Sequence, residues 1–397
     1  MRIAYVTTGD VLSTQTNRKC WWPKSRRDIR SVAFKGVEYH IAKNLEKHSL
    51  FLDYIVIKSR FSLRAALKRR FYHYIFKQKY CGWAEPFIIK NRSHQVSRGL
   101  SDVNSDIVFV PESVNTIAYL ECRQPIVTWS DTPFAGLINY YPYLTNLCRE
   151  TAKKIYAFEK LGFHKCKLII FSSDWAADTA IKTYGLAQSK VKIVPFGANI
   201  SSEIDKDNIL SIIESRTTDS LKLLFFGVDW ERKGGDFTIE VTKELNKSGL
   251  PTELVIVGGQ PVTSDQLPPF VKVIGFLNKA IKEDKEKLDT LLKESHFLIL
   301  PTRAEAYGHV FCEANAYGIP CLATNTGGIP TIIKDGVNGK LFSTDASVSE
   351  YCHYIYDLFS DFSKYKELAL SSFNEYRTRL NWSVAVRAVK KLLMEVL

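Results

Sequence analysis

No Cys-x-x-Cys pair occurs among the eight cysteines, which are scattered at Cys20, Cys81, Cys122, Cys148, Cys166, Cys312, Cys321 and Cys352. In a 397-residue chain this argues against a paired-ligand zinc site and against a disulfide framework, so the thiols read as reduced, small, buried residues. No apolar run approaches the roughly 18 residues that a membrane-crossing helix requires. The segment Met1–Thr7 reads as a first buried strand and lacks the apolar core of a signal peptide, which fits a cytoplasmic chain. Short-period repeats and low-complexity tracts are also missing. The one Asp-x-Asp, Asp205-Lys206-Asp207, lies in a polar stretch and reads as a solvated run, so no metal is expected.

Acidic residues are missing from one long segment. Lys58 to Lys79 carries Lys58, Arg60, Arg64, Lys68, Arg69, Arg70, Lys77 and Lys79 with no acid, interleaved with Phe61, Phe71, Tyr72, Tyr74 and Phe76. Leu63, Leu67, Phe71, Tyr74 and Ile75 share one helical side, which makes an amphipathic basic helix. Such a helix suits an anionic membrane surface, with Arg64, Lys68, Arg69 and Arg70 as membrane or acceptor contacts. The plainer alternative is a helix whose apolar side is core and whose charged side is solvated. Nucleic acid is not an expected partner, because no recognition module accompanies the charge. A second basic, aromatic stretch, Arg18 to Arg27, follows the first strand and reads either as an acceptor-binding loop or as a solvent loop. The whole chain carries a formal charge of +12, but residues 1–200 hold 31 Lys and Arg against 15 Asp and Glu, while residues 201–397 hold 23 against 27. The basic surface therefore belongs to the first half, and an acidic partner is expected there.

What is present is an alternation. Apolar, Val- and Ile-rich stretches at 2–7, 54–57, 106–110, 125–129, 168–172 and 191–194 read as strands, with helical patterns at 37–47, 115–120 and 175–184. The second half repeats the scheme, with strands at 222–226, 253–257, 272–274, 297–300 and 320–323. Alternation of this kind implies an α/β chain with two doubly wound, Rossmann-like domains of parallel sheet facing a central cleft. The boundary falls near residue 200: residues 1–200, then 201–375, then a last helix in 376–397.

The second half places a glycine-containing turn after strand upon strand: Gly227 to Gly235, Gly258-Gly259, Gly275-Phe276-Leu277 and Thr326 to Pro330. Lys233 or Arg232 can neutralise phosphate, and Gly275, Phe276 and Leu277 can line a base pocket. Most informative is Glu305-Ala-Tyr-Gly-His-Val-Phe-Cys-Glu313, directly after the strand that ends in Pro301. Gly308 to Val310 read as a helix start, with Glu313 on the first full turn. Unpaired N–H groups and a positive dipole end suit phosphate there. One carboxylate before that start and one inside it can hold hydroxyls on either side of a diphosphate, the layout of a sugar nucleotide.

These residues resemble the retaining glycosyltransferases of the GT-B fold, glycosyltransferase family four. The resemblance rests on Gly227–Gly234, Glu305–Glu313, Thr326–Pro330 and Asp335–Gly339, and in the first half on Trp129–Phe134, Ser172–Ala177 and Val194–Ala198. It implies that Glu313 holds the nucleotide ribose, that Glu305 contacts the donor sugar, and that the backbone N–H groups of Gly308, His309 and Val310, next to Tyr307, face the distal phosphate. It implies that Lys233 meets the diphosphate beside Gly227. The Arg expected just after that glycine is Val228 here, which leaves Arg232 as the candidate replacement. Gly36, ahead of the 37–47 helix, fits the first domain's diphosphate loop, next to an unusually bulky Lys35. Where the family often has a His, this chain has Ser130-Asp131, and Asp131 reads either as a base toward the acceptor hydroxyl or as an N-cap. His309 stands where an aliphatic residue is usual and reads as packing.

The implied activity is metal-independent, retaining transfer of a hexosyl unit from a nucleotide diphosphate sugar to a lipid-linked or polysaccharide acceptor, with no cofactor. It would take place in the cytoplasm, on the inner face of the membrane. Lys233 and the helix starts would absorb charge on the departing diphosphate. Two other readings stand beside it: a nucleotide-sugar epimerase or hydrolase of similar fold, and a non-catalytic sugar- or lipid-binding module.

Overall fold

The computed structural model of the chain describes residues 1–8, 26–58, 62–200, 204–261 and 266–397. It divides into two compact units, one of Met1–Val194 with Ala385–Leu397, the other of Pro195–Val384.

The first unit is built on six parallel strands: β1 (Arg2–Thr7), β2 (Phe51–Val56), β3 (Ile107–Pro111), β4 (Ile126–Ser130), β5 (Leu168–Phe171) and β6 (Val191–Ile193), in the order β2-β1-β3-β4-β5-β6. Every residue of β3, β4 and β5 is buried, as a parallel sheet covered on both faces demands. The helices Pro86–Ser101, Arg149–Lys165 and Asp174–Tyr184 connect them. The helix expected from Val37 begins at Arg26, so Gly36 lies inside a helix rather than at a helix start. Its N–H is thereby not among the first-turn donors that an anion uses, and Gly36 is removed from the diphosphate site. The pattern at 115–120 proves to be a single 3₁₀ turn, Val114–Ile117. Residues 18–25 of the basic loop, together with Arg60 and Phe61, lie outside the described residues.

The basic helix forms at Leu63–Phe76 but faces opposite to the plain expectation. Its apolar side is the exposed one, and its inward side carries Ala65, Tyr72 and Lys68. Lys68, expected at the membrane or acceptor surface, instead pairs with Glu85 at 3.2 Å and Glu150 at 2.7 Å.

The second unit holds β7 (Leu221–Gly227), β8 (Thr252–Gly258), β9 (Val271–Gly275), β10 (Phe297–Leu300), β11 (Cys321–Thr324) and β12 (Gly339–Phe342), all parallel, in the order β12-β11-β10-β7-β8-β9. β7 is central, with β8 on one side and β10 on the other, so the winding direction reverses between β7 and β10. The carboxyl ends of the strands at such a reversal are the usual ligand position of a doubly wound sheet. Asp205 accepts from the Asn208 backbone at 2.8 Å and caps the helix Lys206–Glu214, which gives half of the Asp-x-Asp a structural task. The last helix runs Trp382–Met394, and Lys390 donates to the His48 carbonyl at 2.8 Å within the first unit.

Candidate functional site

At the β7/β10 reversal three charged groups converge. β7 ends at Gly227, and the chain turns through Val228 and Asp229 into the one-turn helix Trp230–Lys233. Trp230 is buried against Phe225 and donates from Nε1 to Asp236 at 2.8 Å, which fixes the turn. Gly234 follows with φ +77°, and a Cβ there would lie 2.3 Å from the Pro301 carbonyl oxygen at the end of β10. Only glycine meets both constraints. This close approach brings the buried Lys233 onto Glu305, with its ammonium hydrogen-bonded to Oε2. Arg232 donates to the same oxygen at 3.3 Å and to Asp229 at 3.4 Å, and its Nη1 also donates to the Ala304 carbonyl at 2.5 Å.

Burial by itself would raise the Glu305 carboxyl, but Lys233 and Arg232 outweigh it and hold Glu305 below the ordinary carboxylate range. Burial also depresses the Lys233 ammonium, opposed by Glu305. Glu305 is ionised and Lys233 charged at neutral pH, because either one alone would be an uncompensated buried charge. Val228 is exposed, and the second cation at Glu305 is Arg232.

The loop after β10 then enters the helix His309–Ala316 through Gly308, at φ +100° and without a side-chain cap. Glu313 sits on the second turn of this helix rather than the first. It is buried, and Oε1 accepts from Lys279 at 2.6 Å while Oε2 makes no hydrogen bond among the described residues. Burial pushes its pKa up, countered by Lys279 and the Asn199 backbone. Glu313 and Lys279 stand on the wall of a cavity of about 380 Å³ with Asn199, Asp289 and Tyr317. Lys279 also lies 5.5 Å above the Phe226 ring and donates to the Asn199 carbonyl at 3.3 Å. Sequence reasoning missed Lys279, although it follows the Gly275-Phe276-Leu277 turn by two residues. Those three are partly exposed around a positive-φ glycine at the end of β9.

Tyr307, His309 and the turn Thr326–Pro330 all have structural tasks, and for His309 this is the packing role expected. Tyr307 is buried, and its hydroxyl donates to the Phe196 carbonyl at 2.6 Å, so the phenol is not free for a donor. His309 stacks on Phe196 at 5.5 Å, and burial lowers its pKa to about 4, which makes it a neutral packing residue. The turn Thr326–Pro330 opens a helix of only four residues, and its Gly328 N–H donates to the Glu305 carbonyl at 3.1 Å. That turn braces Glu305 rather than offering a second anion site. The Asp335–Gly339 motif is architectural too: Asn338 donates to Asn315 at 2.6 Å and to the Ile332 carbonyl at 3.0 Å.

In the first unit, Asp131 lies at the end of β4 beside Glu112 at the end of β3. Glu112 accepts from the Asp131 backbone N–H at 2.9 Å and from Ser130 at 3.4 Å. Burial and the nearby Asp131 push the Glu112 carboxyl well above its ordinary range. The N-cap alternative for Asp131 fails, because Pro133 holds the N-cap position of the helix Phe134–Leu137 and Glu159 accepts from its first N–H groups at 2.8 and 3.2 Å. Glu112 was not read from the sequence; its only local signal is a carboxylate just after a buried strand, here at φ +60°.

Residues 220–361, which include the Lys233–Glu305 cluster and Glu313, match the model of the family described as glycosyl transferases group 1. That match lies wholly within the second unit. Across the whole chain the architecture is that of the GT-B fold. The solved lipopolysaccharide outer core galactosyltransferase WaaB superposes with a TM-score of 0.64 at 14% identity, covering 100% of both chains. Anabaena HepE, solved with UDP-glucose, gives a TM-score of 0.59 at 14% identity, again over 100% of both. In sequence, a Klebsiella pneumoniae protein described as an uncharacterised 41.2 kDa protein in the cps region is 25% identical over 207 residues, 51% of this chain and 56% of that protein. The chain spans about half the length or less of the first curated relatives it matches. Within the matched residues, Lys233, Arg232 and Glu305 occupy the winding reversal and Glu313 the next helix.

Proposed function

We propose that the chain is a retaining hexosyltransferase that takes its sugar from a nucleotide diphosphate donor. One observation carries this reading: a buried Lys233–Glu305–Arg232 cluster at the reversal between β7 and β10 of a group 1 glycosyl transferase domain. The diphosphate would lie against Lys233, Arg232 and the uncapped start of the His309–Ala316 helix, where a cation and a helix dipole act in the same direction. As the bond to the anomeric carbon breaks, negative charge grows on the distal phosphate, and these fixed donors stabilise it without reorganising. Glu305 holds Lys233 in place and turns its remaining acceptor capacity toward the sugar hydroxyls. Glu313 Oε2, buried and without a partner among the described residues, is suited to a ribose hydroxyl.

The two side-chain cations supply the positive charge that a divalent metal supplies elsewhere, so transfer is expected to be metal-independent. In the first unit, Asp131 is the candidate base toward the acceptor hydroxyl, with Glu112 setting its charge. The strongly basic first half suits a lipid-linked or polysaccharide acceptor at an anionic membrane surface on the cytoplasmic side. The lipopolysaccharide and capsule-region names of similar proteins agree with such an acceptor.

A second reading, isomerisation or hydrolysis of the donor without an acceptor, draws support from the extra carboxyl pair Glu112–Asp131. The two separate in one experiment. The protein is incubated with donor, with and without a membrane extract as acceptor source, in chelator, and the anomeric configuration of the product is read by proton NMR. Acceptor-dependent product with the donor's configuration is expected. Equal donor breakdown without acceptor, an inverted product, or loss of activity in chelator would each refute part of the proposal.

A further inference from the structure

The helix Leu63–Phe76 is turned inside out relative to an ordinary surface helix. Leu63, Leu67, Phe71, Tyr74 and Ile75, spaced four, four, three and one apart, form one stripe along it. All five are between 53% and 66% exposed. A stripe of two leucines, one isoleucine and two aromatics is what a helix normally buries, and isolated exposed apolar residues would not line up this way.

The inward side explains why the helix stays in this orientation. Lys68 bonds Glu85 and Glu150, Tyr72 donates to Glu150 at 3.0 Å, and Tyr72 stacks on Tyr80 at 5.4 Å. Lys154 bonds the same two glutamates, and Tyr80 bonds Glu85. Ala65 fits against Gly82, where a Cβ would approach the Ala65 Cβ to 2.8 Å. Ser62 caps the start at 3.2 Å, and Lys77 closes the end at φ +54°. A network of this size fixes which side faces out. Rotating the stripe inward would bury apolar groups against Glu85 and Glu150 and take from both charges their Lys68 partner.

We infer that the outward stripe is a membrane-docking face that seats the first unit on a bilayer containing anionic lipid. Charge complementarity selects this partner. Arg70 is exposed beside the stripe, Arg64 lies within it between Phe71 and Ile75, Arg69 and Lys77 are exposed elsewhere on the helix and at its end, and no acid occurs from residue 58 to 79. Leucines and aromatics enter the acyl boundary while long basic side chains reach back to phosphate headgroups. A symmetric pairing of two copies through this face would set arginines opposite arginines, and it has nothing to neutralise them. Lys68, held inward, takes no part. The surface adds a partner to the transfer reading, but its evidence is independent of that reading.

The test is sedimentation of the full chain with vesicles of phosphatidylglycerol and phosphatidylcholine in equal parts, against phosphatidylcholine alone. Wild type is expected to sediment with the mixed vesicles only, and to be released by salt. Leu67→Glu combined with Phe71→Glu should remove binding. Arg64→Ser, Arg69→Ser and Arg70→Ser together should weaken it by about 100-fold, at the usual worth of one basic residue near an anionic surface. All five side chains are outward, so each variant should melt within a few degrees of wild type and keep its stabilisation by donor nucleotide. A failure of docking is thereby told apart from a failure of the donor site. Wild type that stays in the supernatant, variants that sediment like wild type, or a wild-type dimer that Leu67→Glu with Phe71→Glu disperses would overturn the inference.

Discussion

A carboxylate kept buried with one oxygen unpaired is unfavourable to the folded chain, and Glu313 is such a group. A residue retained for structure would have both oxygens bonded, so its arrangement makes sense as a place held for a ligand. Glu313→Gln is therefore expected to leave the melting temperature unchanged or raise it, since Lys279 is partly solvated and tolerates the loss. The same change should weaken nucleotide diphosphate binding by about 10- to 100-fold, the cost of one or two buried hydrogen bonds. Calorimetric titration beside a melting curve reads both, and a lower melting temperature with unchanged affinity would make Glu313 a structural residue. Lys233 and Glu305 differ from it in kind. Each holds the other, so Lys233→Ala should cost stability as well as turnover, by about 3–5 kcal/mol for a broken buried pair. Full stability in that variant, measured by urea unfolding, would contradict the buried pairing.

At the scale of elements, the β7 and β10 loops depend on Gly234 and on the register of β10. Gly234→Ala combines a left-handed backbone with a near-contact to the Pro301 carbonyl, and should lower unfolding free energy by about 3 kcal/mol or more. Retention of wild-type stability would show that the loops can part. The start of β10 is tied to β7 by His296, whose Nδ1 accepts from the Lys222 N–H at 2.9 Å while Nε2 faces the Thr217 carbonyl at 2.8 Å. Burial lowers this ring to about 4 from an ordinary 6.5. As pH falls below about 6.5 the unfolded chain takes up the proton first, so stability present above that value is lost progressively toward pH 4. The loss should reach about 3 kcal/mol, and His296→Gln should flatten that part of the stability–pH curve. An unchanged slope in the variant would remove His296 as its source.

The strands were legible because fully buried parallel strands are continuous Val, Ile, Leu and Phe runs. β12 was not, because four residues starting at Gly339 read as the tail of a turn. Pairing over long sequence distance was also hidden. Nothing local to Lys279 announces Glu313, and nothing local to Glu112 announces Asp131. The outward roll of the Leu63–Phe76 helix was out of reach for the same reason, since Glu85 and Glu150 decide it from distant positions.

On the scale of the whole molecule, charge and chemistry divide between the halves. The basic excess lies in residues 1–200, and the residues that match the group 1 glycosyl transferase model lie in the near-neutral remainder. That division was visible in composition, and the reason is physical: a surface charge excess survives in a simple count, whereas a site does not. The central claim is that the second unit binds a nucleotide diphosphate sugar through Lys233, Arg232 and Glu313. Thermal stabilisation of the full chain by UDP-, GDP- and ADP-sugars tests it directly, because a ligand that binds only the folded state raises the melting temperature by mass action. One donor class should give a saturable rise of several degrees in wild type and a markedly smaller rise in Glu313→Ala. No response to any of the three, or an equal response in Glu313→Ala, would contradict it.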